Sequence, residues 1–202
     1  MNTRSKFYLI IIALFLLIII NSCGSSASSF YMLTPVNNYQ PAEQNVDNGI
    51  SIGISTIEFP DYLRRPQIVT YKKNNEVYFD EFNRWAESLQ DNFTNVLLEN
   101  LSYMIPTNNI YMFMWPEDET KIMQIIIKID QFGLVANSKV VLNARWSISP
   151  DNNKIFLTTK KANYQENISS TDYNQIVAAM SKLTSDFSKD IASAIKREYA
   201  GN

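Results

Sequence analysis

The side chains that could perform catalysis in this sequence are carboxylates. Four of them lie close together along the chain, at Glu58, Asp61, Glu81 and Glu87. Two carboxyl groups a few ångströms apart can hydrolyse a glycosidic bond, one acting as general acid and the other as base or nucleophile. No residue beside these four provides an evident activating partner, so solvated acids on loops and on a helix surface explain them better than an active site does.

The residue types that most enzymes and metal sites need are missing. The sequence contains no histidine, which excludes the Ser-His-Asp and Cys-His arrangements and the usual zinc sites. Its five glycines form neither a G-x-G-x-x-G loop nor a P-loop. The acidic run 116–120, PEDET, could bind a cation, but a solvated turn explains it better. We therefore expect a protein that is not an enzyme and that uses no cofactor or metal.

The single cysteine, Cys23, follows an apolar run from Phe7 to Ile20. Arg4 and Lys6 precede the run, and small polar residues follow it. A positive start, a short apolar core and small residues at its exit are typical of a secretory signal peptide. A transmembrane anchor is the alternative, but a spanning helix needs about 20 apolar residues, and no basic residue follows closely to fix one in the membrane.

Residues 20–23, Ile-Asn-Ser-Cys, resemble a bacterial lipobox. The resemblance implies cleavage after Ser22 and acylation of Cys23 on its sulfur and on its new amine. Three acyl chains, at about 0.8 kcal/mol per buried methylene, exceed what stable membrane anchoring requires. An incidental buried cysteine is the alternative, but the position at the end of an export signal argues against it. Gly24 stands where lipoproteins kept in the inner membrane carry aspartate, which predicts delivery to the outer membrane.

The remaining composition fits one exported domain. We predict a signal peptide at 1–22, a lipidated cysteine and flexible tether at 23–29, and a single domain at 30–202. One cysteine cannot form a disulfide within the chain. The net charge of −2 becomes more negative once the signal peptide is removed, so charge gives no reason to expect a nucleic-acid partner.

The hydrophobic pattern predicts strands in most of the domain. Alternation of apolar and polar residues, or a short apolar run, marks each of them. The segments 68–71 and 76–79 flank a polar turn and predict a hairpin, and 121–164 predicts a three-stranded meander. Residues 110–115 are apolar on both faces, which is typical of a central strand. The other predicted strands are 30–35, as a short first strand, and 50–57.

Two segments change to the period of a helix. Apolar residues recur every three or four positions from Trp85 to Met104, which predicts a helix over 82–104 capped by Asp80 or Asn83. The C-terminal segment repeats the pattern from Ile176 to Ile195, and Asp172 with Gln175 resembles a capping box at its start.

Each predicted helix has a single apolar face and needs a sheet to cover it. We therefore predict an α+β fold in one domain, with a mixed or antiparallel sheet and both long helices packed on one of its faces.

Three stretches together resemble one protein family. They are 59–71, 82–102 and 140–149, and YMLTP at 31–35 joins them. The most specific feature is P-x-Y-L-x-R-P-x-I-V followed, about 15 residues later, by R-W-A-E-x-L. The sequence is similar to the ABC-type transport auxiliary lipoproteins, the PqiC-like subunits that accompany MCE-type lipid transporters. The matching positions are Pro60, Tyr62, Leu63, Arg65, Pro66, Ile68 and Val69 in the first motif, and Arg84, Trp85, Ala86, Glu87 and Leu89 in the second.

The resemblance implies a lipoprotein held at the periplasmic face of the outer membrane of a Gram-negative bacterium. Its partner would be the MCE-domain protein of an ABC lipid transporter, and its role that of an adaptor, forming a homo-oligomer. A carrier that holds an acyl chain in its own cavity, lined by the aromatic and methionine side chains of 110–115, is the alternative function.

The loop 60–66 is the candidate interface for a partner or a second copy. It combines Tyr62 and Leu63, which we expect to be exposed, with Arg64 and Arg65, and tyrosine and arginine are frequent interface anchors. Arg84 joins the candidates as an arginine that could pair with Glu81 or Glu87 or reach the loop. A purely structural role is the alternative for these residues.

Overall fold

The computed structural model describes the domain with several gaps. The described residues are 27–35, 51–73, 75–105, 107, 109–112, 122–150 and 158–200, with Arg4, Phe7 and Tyr8 as isolated positions near the N-terminus. The predicted cleavage site, Cys23, Gly24 and the acidic run 116–120 lie outside the described residues. Within the described part of the chain, no helix combines the length and the hydropathy that crossing a membrane requires.

The fold is a single α+β domain built on a mixed sheet. Eight strands and two helices are described, with a short 3₁₀ helix, Asp61–Arg64, between the second and third strands. The strands are β1 Ser29–Tyr31, β2 Ser51–Glu58, β3 Gln67–Tyr71, β4 Val77–Trp85, β5 Ile110–Met112, β6 Ile122–Val135, β7 Lys139–Pro150 and β8 Thr158–Asn167. The helices are α1 Leu89–Met104 and α2 Tyr173–Ala200.

The long strand β6 organises the sheet. Along one edge, β6 pairs antiparallel with β7 over nearly its whole length, and β7 pairs antiparallel with β8, so the predicted meander is confirmed. Along the other edge, β6 pairs in parallel first with β2 and then with β3. β5 pairs with β2, β4 pairs with β3 as the predicted hairpin, and β1 adds to β4 in parallel.

Both helices pack on one face of the sheet, as predicted. Phe93 of α1 joins them to it, because its ring lies 5.7 Å from that of Phe132 on β6 and 6.1 Å from that of Phe187 on α2. Asn100 of α1 donates a hydrogen bond to the hydroxyl of Ser188 on α2, so the contact between the helices includes a buried polar pair. The core therefore lies between the sheet and the two helices.

The start of the first helix was predicted wrongly. Residues 82–85 belong to β4, and α1 begins at Leu89, capped by Ser88, whose hydroxyl accepts a hydrogen bond from the backbone of Asp91. Trp85 is buried, as expected, but it is in a strand. The predicted cap residue Asp80 instead accepts hydrogen bonds from the backbone of Phe82 and Asn83, which shapes an irregular turn inside β4.

Two further predictions need correction. β5 pairs only with β2 among the described strands, so it is an edge strand and not a central one. At the start of α2, the carboxylate of Asp172 accepts from the backbone of Asn174, as a cap should. The side chain of Gln175, however, accepts from the hydroxyl of Ser169, so the reciprocal bond of a capping box is absent.

Candidate partner interface

The loop between β2 and β3 fills a gap in the edge of the sheet. The last pair of β2 with β6 is Glu58 with Lys128, and the first pair of β3 with β6 is Thr70 with Leu134. The intervening residues 129–133 of β6 have no strand beside them on this edge. The connection 59–66, which contains the candidate loop 60–66, lies here, because it joins the two strands that border the gap.

Two tyrosine hydroxyls bond to the backbone of β6 inside this gap. Tyr62 donates to the carbonyl of Asp130 at 3.1 Å, and the amide of Phe132 donates to the hydroxyl of Tyr71 at 3.4 Å. Tyr71 also donates to the hydroxyl of Tyr62, with their rings edge to face. Burial, together with the hydrogen bond to Tyr62, raises the pKa of Tyr71 far above its usual range, so its hydroxyl keeps its proton. These side chains replace hydrogen bonds that a strand would otherwise supply.

The expectation that Tyr62 and Leu63 are both exposed is wrong. Leu63 is 1% exposed and belongs to the core, and Tyr62 is half-buried and packed against the core. The two hydrogen bonds and the ring contact of Tyr62 hold the loop on the sheet. The loop therefore does not present these two side chains to a partner.

The arginines of the loop do face solvent. Arg64 and Arg65 are exposed, as is the Pro66 that follows. Arg64 makes a loose ion pair with Asp61 at 3.7 Å, where the carboxylate is almost fully exposed, and such pairs contribute little stability. The guanidinium of Arg65 lies 4.8 Å from the ring centre of Phe79, a cation–π contact on the surface. These two side chains are the part of the loop that a partner could contact.

The two sequence motifs meet at Arg84 and Trp85. The backbone amide of Trp85 donates to the carbonyl of Pro66 at 2.7 Å, and Arg84 lies opposite Gln67 in the pairing of β4 with β3. Arg84 pairs with Glu81 at 3.5 Å, as one of its predicted partners. Its Nε is buried without a hydrogen-bond acceptor among the described residues. The structure thus brings Arg84 close to the loop, with part of its guanidinium accessible.

The N-terminal segment is fixed to the domain by a residue that sequence reasoning missed. The side chain of Asn92, buried on α1, accepts a hydrogen bond from the amide of Leu33 at 2.6 Å and donates to the carbonyl of the same residue. The amide of Thr34 donates to the hydroxyl of Ser181 on α2. A polar residue at a buried position of the predicted helix is the signal that could have found Asn92.

The acidic residues considered first do not form an active site. Glu58 pairs with Lys128 at 3.1 Å, Glu81 pairs with Arg84, and Asp61 and Glu87 are exposed. Among the described residues, no group of three or more cysteine and acidic side chains could hold a metal ion. These four carboxylates are therefore either exposed or paired with a lysine or an arginine.

A comparison with family models decides the relationship. The model of the ABC-type transport auxiliary lipoprotein component matches residues 31–192, from the first strand to the last turns of α2. The chain belongs to this family. The match includes both motifs, the tyrosine contacts of the loop and the Asn92 contact with the N-terminal segment. No curated protein matches the sequence with significance.

Solved structures share the fold at low sequence identity. A crystal structure of an uncharacterized protein has a TM-score of 0.66 and 18% identity over 84% of this chain and 99% of its own. A protein from Xanthomonas campestris, of the family DUF330, has a TM-score of 0.62 and 11% identity over 87% of this chain and 98% of its own. This chain covers nearly the whole of both structures, so the described sheet and helices share their fold.

Proposed function

We propose that this protein is a lipid-anchored adaptor of an intermembrane lipid transport complex. It is held at the periplasmic face of the outer membrane through Cys23, and its partner is the MCE-domain protein of an ABC transporter. The observation that carries the proposal is the family match over residues 31–192, which makes the chain an auxiliary transport lipoprotein. The lipobox-like sequence that ends at Cys23 supplies the attachment, and Gly24 supports delivery to the outer membrane.

The structure supports a binding role without catalysis. Catalysis would need activated side chains gathered at one place, and the acids Glu58, Asp61, Glu81 and Glu87 are instead exposed or paired with lysine and arginine. The exposed arginines of the loop, Arg64 and Arg65, lie on a support fixed to β6 by Tyr62. A rigid support of this kind reduces the entropy lost when a partner binds.

The alternative function, a carrier for an acyl chain, would need an apolar cavity. An open cleft of about 460 Å³ lies on β6, β7 and β8, away from the N-terminal segment. Most of the side chains that line it are polar, among them Gln131, Lys139, Asn143, Asn163 and Gln165. Amide and ammonium groups do not suit an acyl chain. This cleft therefore does not support the carrier, and of the segment 110–115 expected to line its cavity, residues 113–115 lie outside the described residues.

The test of this function is capture of the partner from native membranes. The mature lipoprotein, extracted with mild detergent, should retain an MCE-domain protein, and the Cys23→Ser precursor, which lacks lipid, should retain much less. Palmitate labelling of the wild type and its absence in Cys23→Ser would confirm the anchor, and sedimentation of membranes on a sucrose gradient would locate it. An MCE protein absent from the captured material would contradict the adaptor role, and equal labelling of both forms would contradict lipidation.

We also expect a homo-oligomer. Light scattering of the detergent-extracted lipoprotein measures its mass directly, and a mass of one chain would contradict this expectation.

A further inference from the structure

An apolar patch lies at the β1 edge of the sheet. The side chains of Phe30, Phe82 and Met32 are 63%, 50% and 48% exposed, and these three residues are called the β1 edge patch. In the pairing of β1 with β4, Phe30 lies opposite Arg84. Phe82 precedes Asn83, which faces the core side and bonds to Tyr31, so Phe82 points to the same side as Arg84 and Phe30. Phe30 and Phe82 therefore lie on the same face of two adjacent strands.

The exposure of these side chains does not come from a loosely held strand. Tyr31 and Leu33, which alternate with Phe30 and Met32, face the interior, and Leu33 is 2% exposed. The amide of Ala86 donates to the carbonyl of Tyr31, and the amide of Leu33 donates to the side chain of Asn92, so the segment is fixed. The outward face of an edge strand usually carries polar residues. Two phenylalanines and a methionine held rigidly in water indicate a surface that something covers.

The position of the patch in the chain identifies what covers it. Only six Cα-to-Cα steps separate Cys23 from Ser29, where β1 begins. Fully extended, they span at most about 20 Å, and as a flexible polar tether their average span is about 13 Å. Acyl chains on Cys23 would therefore hold the β1 edge within reach of the lipid headgroups. The opposite edge, β8, is five strands away, which places it about 24 Å farther across the sheet.

We propose that the β1 edge patch inserts into the headgroup region of the membrane that carries the lipid anchor. This rests on the lipidation of Cys23 in the proposed function and extends it from attachment to orientation. The domain then stands with the β1 edge at the bilayer and the β8 edge directed into the periplasm. Phenylalanine side chains are favourable at the boundary between headgroups and acyl chains. Arg84, beside Phe30, forms an ion pair with Glu81. The accessible part of its guanidinium can still reach lipid phosphates.

Site-directed labelling of the full lipoprotein in vesicles tests the orientation. Cys23 carries lipid in the mature protein, so Phe82→Cys introduces a single free thiol for a fluorophore whose emission reports polarity. The vesicles contain phosphatidylethanolamine with phosphatidylglycerol as the minor component. The matched control is Asn163→Cys, an exposed position on β8 at the far edge of the same sheet. In vesicles we expect blue-shifted emission at position 82 and water-like emission at position 163.

Each other outcome overturns the inference in a recognisable way. A label at position 82 that stays water-like while the protein floats with the vesicles leaves the anchor intact and refutes the inserted patch. The blue shift should not depend on the number of protein copies per vesicle. If it disappears when the protein is diluted to an average of one copy per vesicle or fewer, a second copy covers the patch. Protein that fails to float with the vesicles refutes the lipid anchor, and the orientation with it. If Phe82→Cys lowers the melting temperature strongly, a fluorophore on Phe30→Cys reports the polarity of the same patch from the neighbouring strand.

Discussion

The hydroxyl of Tyr62 lies 3.1 Å from the backbone carbonyl of Asp130, a residue 68 positions further along the chain. The contact joins a loop to the middle of the longest strand of the sheet. It lies where β2 has ended and β3 has not yet begun to pair with β6. A side chain thus supplies the hydrogen bond that a neighbouring backbone would make, which lets the edge of β6 accommodate two different strands in sequence.

Tyr62→Phe should destabilise the domain modestly. The variant keeps the ring contact with Tyr71, leaves the carbonyl of Asp130 without its donor and removes the acceptor of the Tyr71 hydroxyl, at a cost of about 1 kcal/mol. For a domain of this size that lowers the melting temperature by about 2–4 °C. Asp61→Ala, at an almost fully exposed position of the same loop, should melt like the wild type. Equal melting of Tyr62→Phe and the wild type would mean that the hydrogen bond does not support the loop.

The types of the helices and strands could be predicted from the sequence, but the start of α1 was predicted wrongly. Trp85, Leu89 and Phe93 are spaced by four residues, which fits a helix throughout, yet Trp85 closes a strand. All three are buried in either arrangement, so the spacing alone could not separate them. Ser88, three residues before Asp91, was the local sign of the true start, because a hydroxyl at this position caps a helix.

The role of the loop could not be read from its composition. Tyrosine beside arginine is frequent at interfaces, but the fate of each side chain depends on what lies next to the loop after folding. The gap beside β6 exists only because β2 and β3 share one strand edge, a relationship between segments far apart in sequence. That gap turns Tyr62 inward and buries Leu63, and it leaves Arg64 and Arg65 in water.

The exposed arginines of the loop should contribute to binding and not to stability. The double variant Arg64→Ala, Arg65→Ala should melt within about 2 °C of the wild type, because exposed charges of this kind contribute well under 1 kcal/mol. It should weaken capture of the partner or self-association at least about tenfold, equivalent to about 1.4 kcal/mol. Changing Lys72 and Lys73 to alanine removes an adjacent pair of exposed charges in the β3–β4 turn and is the matched control.

Two results would contradict a partner surface at the arginines. If the control variant loses binding equally, the effect is one of net charge. If the loop variant binds like the wild type, the interface lies elsewhere on the domain.

Asn92→Ala should loosen the segment that leads to the membrane. The substitution removes the acceptor of the Leu33 amide and leaves that group buried without a partner, at a cost of about 2 kcal/mol. We expect a melting temperature about 4–8 °C lower and faster amide exchange at Leu33 than in the wild type. Asn163→Ala, an asparagine exposed on β8, should change neither quantity. Unchanged exchange at Leu33 in the Asn92 variant would mean that β1 is held by its pairing with β4 alone.

Gly133 is the position where the sheet tolerates no side chain. It lies on β6 just before the first pair with β3, at a φ of +147°, where residues with a side chain are strained. A Cβ added there would lie 2.8 Å from the backbone carbonyl oxygen of Val69. Because that atom belongs to a paired strand, relief requires β3 to move. We expect Gly133→Ala to cost more than about 2 kcal/mol, from strain and overpacking together.

The comparison that isolates this cause uses two further variants. Ala136, three residues later, has a φ of +49°, where glycine is preferred, so Ala136→Gly should melt at the same temperature as the wild type or higher. Adding Val69→Ala to Gly133→Ala should give no rescue, because the clash is with the backbone of Val69 and its side chain is not involved. Recovery of the melting temperature in that double variant would show that side-chain crowding, and not the close approach of β3 to β6, makes glycine necessary. Without recovery, the close approach of these two backbones is what makes glycine necessary at position 133.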